Sequence, residues 1–162
     1  MPLLKDGQIV ADRWQVVADG EPQPPAVPVL VPFARWQAER DTLIRRNAPI
    51  GVRLSNTQDL GQVAPDLALF ELIALEFPKF IDGRAFTQGR LLRERYGYKK
   101  ELRAVGNVLR DQLQFMHRCG FDAFEIDSPN AVELWQAAMA EIDVFYQPAA
   151  DDVRTVFDRR SA

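Results

Sequence analysis

Between Phe77 and Ile126 the chain reads FPKFIDGRAFTQGRLLRERYGYKKELRAVGNVLRDQLQFMHRCGFDAFEI. This stretch packs two buried-strand patterns and two amphipathic helices together with short connections. Its strands are ELRAV (101–105) and DAFEI (122–126); ELIALEF (71–77) leads into it, and upstream IGVRL (50–54) reads the same way. ELIALEF is a continuous apolar run of the length a buried parallel strand needs. Helices are expected over Arg84–Tyr96, with Gly97 as its stop, and over Asn107–Cys119, with Asn107 as its cap and Gly120 as its end. A last helix should follow Asp127 or Ser128, with Pro129 in its first turn, and run to about Val144.

Strands alternating with helices at this spacing imply consecutive right-handed βα units and a mainly parallel α/β sheet. A half-barrel and a doubly wound sheet both fit the pattern. The helical wheels agree with buried helices. Ala85, Gly89, Leu92 and Tyr96 form one stripe, in which Gly89 would let the helix approach its neighbour closely. Leu109, Gln112, Leu113 and Met116 share a face widened by Val108, Phe115 and Cys119.

The first 32 residues differ. Gln8–Val10 and Trp14–Ala18 are short β-type runs that suggest a hairpin. EPQPPAVPVLVP then carries Pro22, Pro24, Pro25, Pro28 and Pro32, which suits a linker or edge segment, with Val27, Val29, Leu30 and Val31 as a short strand. A helix follows over Phe33–Arg46, and a weaker one over Thr57–Leu67 is interrupted by Gly61 and Pro65. The chain thus divides into an N-terminal β and proline-rich segment (1–32), an α/β domain (33–146) and a tail expected to be mobile (147–162).

At 162 residues there is room for one domain with a core. The net charge of −3 gives no reason to expect nucleic acid as a partner. No apolar run approaches the ~18–20 residues that span a bilayer, and MPLLKDGQIVADRW lacks the apolar region of a secretory signal. The expected location is cytoplasmic, away from membranes. The single cysteine, Cys119, excludes an internal disulfide and a four-cysteine cluster, and the single histidine, His117, excludes a multi-histidine metal site within one chain. Neither GxGxxG after a strand nor GxxxxGK[ST] occurs. No metal and no cofactor of its own is therefore expected.

The loop PKFIDGR (78–84) follows the strongest strand and precedes a helix, where open α/β sheets bind ligands. Lys79 and Arg84 would add positive charge beside the free N–H groups of the helix start, with Asp82 and Gly83 shaping the turn. A small oxyanion or phosphate ester fits that chemistry; a surface turn capped by Asp82 is the plainer alternative. Asn107 and Asp127 follow other strands toward the same rim, with Asp127 placed to pair with Lys79 or Arg84. The cationic run Arg84, Arg90, Arg93, Arg95, Lys99, Lys100 and Arg103 does not share one helix face. It reads as solvated surface, with Arg90, Arg93 and Arg95 as a candidate contact for an acidic partner. His117 and Cys119 lie two apart on a helix and do not face each other; Cys119 belongs to the core and His117 to the surface.

The blocks FPKFIDGR, LLRERYGY and ELRAVGNVLRDQLQFMHRCGFDAFE resemble an uncharacterised bacterial family, a domain of unknown function encoded beside assimilatory sulfite reductase. Its members are often labelled as oxidoreductases involved in sulfite reduction. The resemblance runs from about Ile50 to Ile126 and rests on Phe77, Pro78, Lys79, Asp82, Gly83, Arg84, Leu91, Leu92, Arg93, Arg103, Gly106, Asp111 and Cys119. It implies a cytoplasmic accessory protein that works with sulfite reductase or its electron donor. With one cysteine and no dinucleotide fingerprint, the chain cannot be that catalyst alone. A small enzyme or sensor binding an oxyanion is the rival, and a homodimer docked through the N-terminal segment is the third reading.

Overall fold

The computed structural model describes residues 2–151 and 153–160. An eight-stranded sheet carries the fold: β1 (Leu3–Lys5), β2 (Gln8–Val10), β3 (Gln15–Val16), β4 (Val29–Pro32), β5 (Ile50–Leu54), β6 (Phe70–Phe77), β7 (Glu101–Gly106) and β8 (Ala123–Glu125). The strand order is β2-β1-β8-β7-β6-β5-β4-β3. From β3 to β8 the neighbours are parallel and follow the order of the chain. A doubly wound sheet reverses direction at a switch point; this one never does, so its crossover helices lie on one face. The fold is a curled half-barrel of α/β units.

The helices are α1 (Phe33–Ile44), α2 (Leu60–Val63, continued by a 3-10 turn over Ala64–Leu69), α3 (Arg84–Glu94), α4 (Arg110–Arg118), α5 (Ala131–Glu141) and α6 (Val156–Arg160). Side chains of alternate strand positions, among them Val52, Leu54, Ile73, Leu75, Leu102 and Phe124, meet Trp36, Leu92, Leu113 and Met116 in one core. Trp36 anchors it, edge-on to Phe70 at 4.8 Å, with its indole N–H donated to Asp66 at 2.8 Å. Gly89 lies against Phe121: a Cβ there would sit 2.5 Å from the ring, so α3 packs at a distance only glycine permits.

The other face is lined by Trp14, Leu30, Leu72, Ala74 and Val105, a cluster separate from the helix-packed core. What covers it is the chain between β2 and β3, the two outermost strands. Eight strands laid flat would hold the outer pair about 34 Å apart at ~4.8 Å per strand. Val10 and Gln15 are joined by Ala11–Trp14, which spans no more than about 18 Å at ~3.6 Å per residue. The sheet must curl, and Ala11–Trp14 becomes a strap across its hollow. There Arg103, 0% exposed, meets three carboxylates: Asp12 of the strap at 2.7 Å, Glu101 at 2.8 Å and Glu125 at 3.4 Å.

Several expectations need correction. Gln8–Val10 forms its hairpin with Leu3–Lys5 and not with Trp14–Ala18, through Asp6 and Gly7 at φ 49° and 77°. An Asp-Gly pair is the sequence that turn requires. β4 is an interior strand despite its prolines, because Pro28 and Pro32 bracket Val29–Val31 and leave those N–H groups intact. Asn107 does not cap α4. Gly106 takes φ 93° and the Asn107 N–H is donated to Phe77 O at 2.8 Å, so the helix starts at Arg110, after Leu109. Leu109 and Phe115 are exposed and leave α4 a narrower buried face. Neither Asp127 nor Ser128 caps α5, which follows Asn130 and ends at Glu141. Arg103 is a buried strand residue, not solvated surface.

From the segment read as a mobile tail, Asp151 pairs with Arg118 at 2.9 Å and Phe157 packs edge-on to Tyr146 at 5.1 Å. Positions 152, 161 and 162 of that segment, and Met1 of the N-terminal one, lie outside the described residues. Among the described residues no helix is long and apolar enough to cross a membrane.

Candidate functional site

The loop between β6 and α3 stands at the carboxyl end of the sheet, where a parallel strand delivers its chain to the helix layer. Pro78 ends the strand, and a turn closes with the Asp82 N–H donated to Lys79 O at 3.1 Å. Arg84 opens α3 and folds back on Asp82, donating Nε at 2.9 Å, Nη2 at 2.6 Å and its backbone N–H at 3.3 Å. Those bonds, with help from Asn56, hold the Asp82 carboxyl well below the usual carboxylate range. The charge of Arg84 is thus matched within the loop itself. Gly83 precedes the helix without a side-chain cap.

Of the residues expected to converge here, Lys79, Asp82, Gly83 and Arg84 share this loop, while Asn107 reaches it through its backbone bond to Phe77. Asp127 lies exposed after β8, two strands away from β6, and is in no ion pair among the described residues. Arg84 takes Asp82 as its partner in place of Asp127. Lys79 is exposed, with no carboxylate partner among the described residues.

The three arginines of the candidate contact surface have different fates. Arg90 is half-exposed and pairs with Glu94 one turn on, at 2.8 Å. Arg95 is exposed, with its guanidinium 5.8 Å from the Tyr96 ring centre. Arg93 is an internal strut. It donates to the carbonyls of Gly120, Tyr98 and Lys100, each at 2.8 Å, and to Asp122 at 2.9 Å, tying α3 to the starts of β7 and β8. Its bonds are spent on the fold.

Two side chains of the loop carry no polar chemistry and stand out for that reason. Phe80 is 52% exposed and Ile81 88% exposed, at the tip. Gln112 of α4 donates weakly to Phe80 O at 3.4 Å, which sets the tip beside that helix. Leu109, just before α4, and Phe115 within it are also exposed, on either side of Gln112 in the sequence. Sequence reasoning passed over this pair, although two large apolar residues between Pro78 and Gly83, outside any strand or helix pattern, were a readable signal.

An α/β half-barrel that presents an apolar tip at its carboxyl rim, beside an arginine paired within its own loop, defines the class of this protein. The chain belongs to the family described as bacterial protein of unknown function (DUF934), whose model matches residues 51–157. The match begins at β5 and leaves β1–β4, with the strap, outside it. No curated protein matches the chain.

Proposed function

We propose that this is an accessory protein of assimilatory sulfite reduction, which acts by docking on sulfite reductase or on its electron donor. The observation that carries this reading is the exposure of Phe80 and Ile81 at the loop tip, 52% and 88%. Apolar surface of that size is worth roughly 25 cal/mol per Å² when a partner covers it. The tip lies inside FPKFIDGR, one of the blocks on which the family resemblance rests. A chain with one cysteine gains a role in sulfite reduction more readily from a partner's redox centre than from its own.

The test is direct binding of the purified chain to sulfite reductase and to its donor from the same host. Ile81→Asp should weaken the complex at least tenfold at unchanged melting temperature, and Arg90→Glu should slow association. Absence of binding by the unaltered chain to either protein overturns the reading. Growth of a deletion strain adds a second check: failure on sulfate and sulfite with rescue by cysteine is expected.

A second reading has its own observation. Lys79 has no carboxylate partner among the described residues and stands in the loop that leads into α3, which suits a small oxyanion or phosphate ester. It requires a melting temperature that rises with sulfite, sulfate or phosphate and no longer does so in Lys79→Ala.

A further inference from the structure

We propose that the groove between α2 and α3, on the outer face of the helix layer, docks an extended acidic peptide of a partner protein. Two depressions lie along this seam, of about 380 and 430 Å³, with Tyr96 on the edge of both. One wall is Leu60, Pro65 and Leu67; the other is Leu91 with the basic residues of α3 and of the turn after it. α3 has 11 residues, or about 16 Å at ~1.5 Å per residue, and the turn to Lys99 lengthens the seam further. That length takes about six extended residues at ~3.3 Å each.

The charge of the groove is one-sided. Arg84, Arg95, Lys99 and Lys100 line it against one carboxylate, Asp59, which accepts the Gly61 N–H at 2.8 Å. Arg84 and Lys100 are matched by Asp82 and Glu71. Arg95 and Lys99 are exposed, and neither has a carboxylate partner among the described residues. In a chain of net charge −3 this is a local excess of positive charge, set on an apolar floor. A single small anion would use one of these cations and leave the seam empty. Carboxylates at alternate positions of an extended segment would meet both, while the intervening side chains lie against Leu60 and Leu91.

Gln88 is fixed at the floor of the groove. It lines the groove, is 7% exposed, and donates its amide N–H groups to Ser55 O and Gln58 O, each at 3.0 Å. Those two carbonyls fix the orientation of the amide and leave Oε1 without a hydrogen-bond partner. Oε1 is covered by the protein itself, so the amide ties α3 to the Ser55–Gln58 turn and shapes the floor of the groove.

The proposal concerns a different surface from the Phe80–Ile81 tip and does not depend on sulfite reductase being the partner. It is tested on the full chain with a fluorescein-labelled decapeptide rich in Asp and Glu, followed by fluorescence anisotropy. Saturable binding is expected, weakened at least tenfold by Arg95→Glu with Lys99→Glu. Arg45→Glu with Arg160→Glu makes the same charge change at exposed positions elsewhere and should leave affinity within twofold. A Gln/Asn version of the peptide should not compete. Four outcomes overturn the proposal: no saturable binding, equal loss in the two double variants, displacement by single-stranded DNA as readily as by unlabelled peptide, or self-association of the chain through the same two cations.

Discussion

Arg103 on β7 and Asp12 on the strap are held 2.7 Å apart across 91 positions of sequence, inside the hollow of the half-barrel. The guanidinium also serves Glu101 and Glu125, and Lys5 reaches Glu101 at 2.7 Å. One buried cation therefore fastens three parts of the molecule: the strap, β7 and β8. It also links the N-terminal segment to the part of the chain that carries the family match.

Arg103→Leu should be among the most damaging single changes. It removes the buried cation and leaves Asp12, Glu101 and Glu125, which are only partly exposed, close together without it. Breaking a buried ionic cluster from one side costs about 3–5 kcal/mol. Urea unfolding is the check; a loss under about 1 kcal/mol would mean that the carboxylates separate into solvent and the strap is not held by this bond. Arg103→Lys should recover only part of the loss, because one ammonium cannot span three partners.

The Asp12 bond also gives stability a pH signature. Burial alone would raise the Asp12 carboxyl, but the Arg103 guanidinium and the Trp14 N–H outweigh it and hold the pKa below the ordinary value. A carboxyl depressed in the fold contributes stability that is complete above its unfolded pKa of about 3.9. That contribution fades as the pH falls through the folded value. The melting-temperature gap between the unaltered chain and Asp12→Asn should thus be widest near pH 6 and close on acidification toward pH 3. A gap independent of pH would show that the geometry of the side chain, and not its charge, fastens the strap.

The parallel part of the sheet was legible because ELIALEF, ELRAV and IGVRL are short apolar runs separated by helix-length patterns, and local sequence alone decides such elements. The N-terminal closure was not. Leu3–Lys5 is too short to show a period, and the partners of β1 and β3 lie far along the chain or across a proline-rich stretch. Arg103 was grouped with surface cations because charge says nothing about burial; Glu101 and Glu125 lie on nearby strands, but Asp12 was beyond reach. Arg93 misled for the same reason. Its four acceptors include three backbone carbonyls, which no side-chain pattern marks. At the candidate site, Asp82 and Arg84 stand two apart in the sequence, but the match between their charges required the folded turn.

Cys119 should be inert toward alkylating agents in the native protein. It is 5% exposed, and burial pushes its thiol up to about 11. Under 1% of such a thiol is ionised at pH 7.5, and the thiolate is the reactive form. Iodoacetamide should label it orders of magnitude more slowly than free cysteine, with full labelling only in denaturant. Rapid labelling of the native chain would place Cys119 at an opening of the α3–α4 seam and revive it as a reactive group.

Gly89→Ala weighs helix propensity against packing, and packing should win. Alanine in a helix interior is favoured over glycine by about 1 kcal/mol, so the change would stabilise an exposed helix. Here the added Cβ falls 2.5 Å from one Phe121 ring carbon and 2.9 Å from another. The ring cannot swing away: Phe121 is 1% exposed and sits 5.5 Å, centre to centre, from Phe77. Either α3 moves outward or the ring leaves its rotamer, and overpacking of this kind costs about 1–3 kcal/mol. A net loss of up to roughly 2 kcal/mol in urea unfolding is expected. Combining the change with Phe121→Leu should recover stability relative to the sum of the two single changes, because the smaller side chain vacates the space the new methyl needs. Strict additivity of the pair would mean that α3 and Phe121 do not share this contact in solution.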